Sequence, residues 1–104
     1  MTEAYRSWRP RDNTGGTRIL VSGKVQGVGY RHCASARAEV HGIVGNVRNL
    51  PDGNVEVVAA GCPAALADYA SDLGHRGSSG GRVRACQVAT IPLTEQFSEF
   101  SVRY

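Results

Sequence analysis

Pro51-Asp52-Gly53 stands near the middle of the chain between two runs, IVGNVRN and NVEVVAA, that both favour an extended backbone. Pro51 presets the φ of a turn's first corner, and Gly53 accepts the positive φ that closes it. Two strand-forming runs joined this tightly pair as an antiparallel hairpin. An isolated hairpin is marginal in water and needs further elements against which to bury a face. The flanking segments must supply them.

They read as follows. In TRILVSG, Thr17, Ile19 and Val21 alternate with Arg18, Leu20 and Ser22, the period of a half-buried strand. A glycine-rich stretch follows, and then a helical pattern from Arg31 to His41, with Cys33, Ala36 and Val40 as its apolar stripe and His32, Ser35 and Glu39 opposite. Gly42 is placed to end that helix. After the hairpin, Pro63 suits the first turn of a second helix, whose stripe is Leu66, Tyr69, Ala70 and Leu73 and whose stop is Gly74. HRGSSGG reads as a loop, and VRACQVAT and FSVRY as strands. The apolar residues Val83, Ala85, Cys86 and Val88 do not alternate strictly, which predicts a bulge or a short edge strand. The order is β-α-β-β-α-β plus one C-terminal strand. It predicts an α+β, ferredoxin-like two-layer sandwich, an antiparallel sheet with two helices on one face.

Residues 1–16 carry Pro10, Asn13, Thr14, Gly15 and Gly16 without periodicity and are expected to form a flexible extension, with a basic docking tail as the alternative; the domain is expected over 17–104. A chain of 104 residues suits one domain, and 41% hydrophobic content suits a modest core. The net charge of +3 favours anionic ligands without choosing among them. Cys33, Cys62 and Cys86 are too far apart for zinc spacing and read as buried or half-buried thiols of a reducing compartment. No apolar run approaches the roughly 18 residues of a membrane span, and no signal sequence is visible. A cytoplasmic protein is expected.

The segment Gly23–Arg31 carries the chemistry. A glycine-rich turn from strand to helix can aim several backbone N–H groups at one point, and the helix start adds unpaired N–H groups and partial positive charge. Arg31, at the loop–helix junction, offers a planar fork that grips two phosphate oxygens. Glycine spacing alone does not separate such a nest from an ordinary turn beside a surface arginine. Lys24 reads as a rim charge that could steer an anion.

Two longer strings separate them. GKVQGVGYR, from Gly23 to Arg31, resembles the signature loop of the acylphosphatase family, and GIVGNVRNLPDGNVEV, from Gly42 to Val57, resembles that family's second motif. The resemblance implies the ferredoxin-like fold and hydrolysis of the carboxyl–phosphate bond without metal or organic cofactor. It implies that the backbone amides of Gln26, Gly27, Val28, Gly29 and Tyr30 surround the phosphoryl group. It assigns the catalytic arginine to Arg31 and the catalytic asparagine to Asn49. The implied partners are a small acylphosphate and inorganic phosphate, as product and competitive ligand, with no nucleic acid or membrane, for a monomer. An amide fits the second role, since it donates and accepts and so orients water without acting as a strong base.

Three features depart from the family pattern: Asn46 where a bulky residue is common, the loop Gly77–Gly81 in place of a more proline-rich and apolar stretch, and the N-terminal extension. A non-enzymatic anion-binding or regulatory module of the same fold is the alternative. An RNA-binding sheet would need exposed aromatics that the two central strands lack. His32, His41 and His75 are scattered and read as surface residues. Asp52 and Glu56 are explained by turn chemistry and cross-strand pairing, and Cys33 has no clear activating partner.

Overall fold

The computed structural model describes residues 16–27, 29–75, 82–92 and 97–103. The elements run β1 (Gly16–Lys24), α1 (Tyr30–His41), β2 (Val44–Asn49), β3 (Val55–Ala60), α2 (Pro63–His75), β4 (Arg82–Ile91) and β5 (Phe100–Arg103). The expected extension 1–16 and the loop Gly77–Gly81 fall outside the described residues, apart from Gly16, which opens β1.

The strands form a five-stranded sheet in the order β4-β1-β3-β2-β5. β3 lies between β1 and β2 and is antiparallel to both, with Val21 and Asn49 opposite Val55. β5 adds to β2 in parallel, Gly45 beside Phe100 and Val47 beside Val102. The sheet is therefore mixed where a wholly antiparallel one was expected. A parallel pair needs a long crossover, and the second half of the chain supplies it. β4 is an edge strand of ten residues, longer than expected. The bulge is present: Ser22 faces Ala85 but Gly23 faces Val83, so Arg84 is left over.

Both helices cover the face carrying Ile19, Val21, Val47, Val55, Val57 and Ala59, all fully buried. On α1 the buried residues are Tyr30, Ala34 and Ala38, whereas Val40 is 64% exposed and Ala36 is exposed. The stripe read through Cys33, Ala36 and Val40 is thus rotated from the real one. Alanine carries little hydrophobic weight, but its small size lets the helix approach its neighbours closely, and packing chose that face. On α2, Ala65, Tyr69, Ala70 and Leu73 are buried and Leu66 packs against them, while the helix continues past Gly74 to His75.

The two tyrosines tie the helices reciprocally. Tyr30 Oη on α1 donates to the Leu73 carbonyl of α2 at 3.0 Å, and Tyr69 Oη on α2 donates to the Ala34 carbonyl of α1 at 2.8 Å. Burial pushes both phenols well above their ordinary value, so they remain donors. Farther along α1, Arg37 Nε donates to Asp72 of α2 at 2.7 Å, and His41 Nε2 pairs with the same carboxylate at 2.9 Å. On the opposite sheet face, Glu56 accepts Arg18 Nε at 2.5 Å and Arg48 Nε at 2.8 Å.

Candidate active site

β1, β2 and β5 run in one direction, so Lys24, Asn49 and Arg103 end at one edge of the sheet. The loop from β1 to α1 opens at the same end. Its shape begins at Gly23, with φ 128°, where a side-chain Cβ would meet the Arg82 carbonyl oxygen at 2.2 Å and the Arg84 nitrogen at 2.6 Å. Only glycine lets β1 pass the bulge of β4 this closely. Gly27 (φ 76°) and Gly29 (φ 80°) turn the chain into the helix, and both are exposed.

Gly29 is the cap residue of α1 and provides no side-chain hydrogen bond to the first turn, which also holds no acidic residue. A glycine cap brings no side-chain oxygen of its own to the first N–H groups of the helix, an arrangement suited to receiving an external anion. Tyr30 contributes only backbone here, because its side chain is buried against α2. Val28 lies outside the described residues.

Arg31 follows at the mouth of the helix, half-buried, and its Nη1 donates to the Arg103 carbonyl at 2.6 Å. Asn49 ends β2 in the row of Val21 and Val55, on the helix-covered face. Among the described residues its Oδ1 is buried without a hydrogen-bond partner. Such an acceptor is costly unless something donates to it. Arg31 and Asn49 are thus brought to one end and one face of the sheet.

The loop and the hairpin turn are joined directly. Gln26 Nε2 donates to the carbonyls of Leu50 at 2.7 Å and Asn54 at 2.8 Å. Within the turn, Leu50 N–H reaches the Asn54 carbonyl at 2.8 Å and Gly53 N–H the Leu50 carbonyl at 3.1 Å, with Gly53 at φ 96° as the turn requires. Sequence reading assigned Gln26 through its backbone and missed this side chain, as it missed the Arg103 carbonyl. A glutamine inside a glycine-rich loop was the available signal for the first; no sequence pattern announces the second.

The remaining candidates separate from this end. His32, Ser35 and Glu39 share a face of α1 as read, and with Ile43, Glu99 and Phe100 they line a groove of about 560 Å³. Neither Asn49 nor any of the described residues Gln26, Gly27, Gly29, Tyr30 and Arg31 lines it. Asn46, buried on β2 beside Val58, faces the side of the sheet away from the helices. The three thiols are half-buried and unpaired in disulfides, and burial pushes Cys86 above its ordinary value. Among the described residues no helix is long and apolar enough to cross a membrane, and no group of three His, Cys, Asp or Glu side chains converges.

Fold and loop together define a class: small α+β sandwiches in which a glycine-rich loop after the first strand opens a helix N-terminus beside the end of a central hairpin. A family model described as Acylphosphatase matches residues 17–102. A curated acylphosphatase of Methylococcus capsulatus is 44% identical over 84 residues, covering 81% of this chain and 90% of its own. One of Marinobacter nauticus is 43% identical over 82 residues, covering 79% and 88%. The crystal structure of acylphosphatase from Bacillus subtilis superposes with a TM-score of 0.80 at 33% identity, covering 86% of this chain and 99% of that one. The chain belongs to the acylphosphatase family.

Proposed function

We propose that this protein hydrolyses acylphosphates to a carboxylate and inorganic phosphate, with Arg31 and the loop amides binding the phosphoryl group and Asn49 aligning the water. Family membership supports the reaction. The observation that carries the division of roles is the buried Asn49 Oδ1, an acceptor with no partner among the described residues and at the same end of the sheet as Arg31.

The chemistry asks little of a base. Water oxygen attacks phosphorus in line with the acyl oxygen, the P–O bond to the acyl group breaks, and the departing carboxylate is a stable anion. Both water protons finish on the phosphate, which then equilibrates with buffer. Asn49 Oδ1 accepts one O–H of the attacking water and so directs a lone pair at phosphorus. Charge on the equatorial oxygens meets the Arg31 fork, the amides of residues 26–30 and the N-terminus of α1. Because this stabilisation comes from the chain itself, the proposal includes metal-independent turnover.

The test is hydrolysis of acetyl phosphate in the presence of a strong chelator, with inorganic phosphate as inhibitor. Undiminished turnover with competitive inhibition is expected. Activity that vanished with chelator and returned with a divalent cation would overturn the metal-free mechanism. Phosphate binding without hydrolysis would favour an anion-sensing module.

A further inference from the structure

We infer that the Gln26 side chain is a positioning residue that sets Asn49 against the phosphate loop. This rests on the role proposed for Asn49 above. Both N–H groups of one amide are committed to the two carbonyls, Leu50 and Asn54, at the neck of the hairpin turn. The turn does not need them for closure, since Leu50 N–H to Asn54 and Gly53 N–H to Leu50 already close it. The added bonds instead join two segments that are 24 and 28 residues apart in sequence.

One segment carries the water-aligning group and the other the anion-binding groups. Leu50 is bonded to Asn49, so fixing the Leu50 carbonyl fixes the root of the Asn49 side chain. Gln26 begins the loop that leads to Gly29 and Arg31. Its amide therefore sets the gap between nucleophile and phosphorus, a distance to which in-line attack is steeply sensitive. The residue type is restricted by the chemistry of the two acceptors. Glutamate would place oxygen lone pairs against two carbonyl oxygens, asparagine is shorter by one methylene, and methionine keeps the shape without the donors.

Turnover of acetyl phosphate and inhibition by inorganic phosphate are measured for the full chain and for Gln26→Met, Gln26→Glu, Asn49→Ala and Gln26→Met/Asn49→Ala. Gln26→Met is expected to lower kcat by about 10- to 100-fold, the penalty of a misplacement near 1 Å, with the phosphate inhibition constant little changed. Gln26→Glu is expected to be slower still at neutral pH and to regain part of its rate on acidification, when the carboxyl can donate again. The wild type should lack that acid-side recovery. The double variant should be no slower than Asn49→Ala alone, because the clamp acts through Asn49.

Normal turnover of Gln26→Met would overturn the inference. So would losses that multiply in the double variant, or phosphate binding that falls in step with turnover. Should Gln26→Met fail to fold, the pH profile of Gln26→Glu decides instead, and a profile parallel to the wild type counts against the clamp. Wild-type turnover retained in Asn49→Ala would remove the proposed role of Asn49, and this inference with it.

Discussion

Arg31 reaches across the sandwich to the last strand: its Nη1 donates at 2.6 Å to the carbonyl of Arg103, 72 residues later in the chain. One prong of the guanidinium is thereby oriented by backbone, while the same rigid plane carries further donors. Arg31→Ala is expected to weaken phosphate inhibition and turnover together, since in the proposed mechanism the group contacts the phosphoryl oxygens before and during reaction. Arg31→Lys should recover little, because a single ammonium cannot hold a fixed carbonyl and fork two oxygens. Paired inhibition constants and kcat values for the two variants check this. Lysine restoring both would remove the need for a planar fork.

Asn49→Ala is expected to leave phosphate inhibition near the wild-type level and to reduce turnover by about 10²–10³-fold, or ~2.7–4 kcal/mol of barrier. The alignment of water matters chiefly on the way to the transition state. The same kinetics measure it. Loss of phosphate binding as severe as in Arg31→Ala would show that Asn49 helps to hold the anion.

Glu56 makes acid stability a second readout. Burial alone would raise its carboxyl pKa, but the hydrogen bonds and charges of Arg18 and Arg48 outweigh that and hold it below the ordinary value of 4.5. A lowered folded-state pKa means stability that is complete above the unfolded value and is lost as pH falls through the folded one. Glu56→Gln should therefore cost ~1–3 kcal/mol at neutral pH, and the gap to wild type should narrow below about pH 4.5. Urea unfolding across that range tests it; a gap that widened on acidification would contradict the assignment.

Gly23→Ala should destabilise through two separate effects. An L-residue at φ 128° costs ~1–3 kcal/mol, and its Cβ would meet backbone atoms of Arg82 and Arg84 that have no rotamer by which to withdraw. A clear drop in thermal midpoint is expected. A neutral result would mean that the β1–β4 bulge shifts freely.

The hairpin was legible because it rests on local chemistry, a proline corner and a glycine exit, whereas the strings around Arg31 and Asn49 pointed to the family only through their resemblance to its motifs. The buried face of α1 was not. Ala34 and Ala38 are chosen by how closely the helix packs, and Val40 sits exposed on the last turn despite its side chain. The parallel addition of β5 and the contacts of Gln26 and Arg31 depend on which distant carbonyls the fold delivers, and sequence periodicity contains no such information.

The paired tyrosines have a mechanical consequence. A single pin between two rods leaves them free to pivot, whereas two pins at different heights block both pivoting and sliding. Tyr30 and Ala34 mark those heights on α1, one helical turn or about 6 Å apart, and the lower pin adjoins Arg31. The root of Arg31 is thus doweled to α2 as well as to the sheet. A Tyr69→Phe substitution, which removes one pin by taking away its donor, would reach Arg31 as play in a joint.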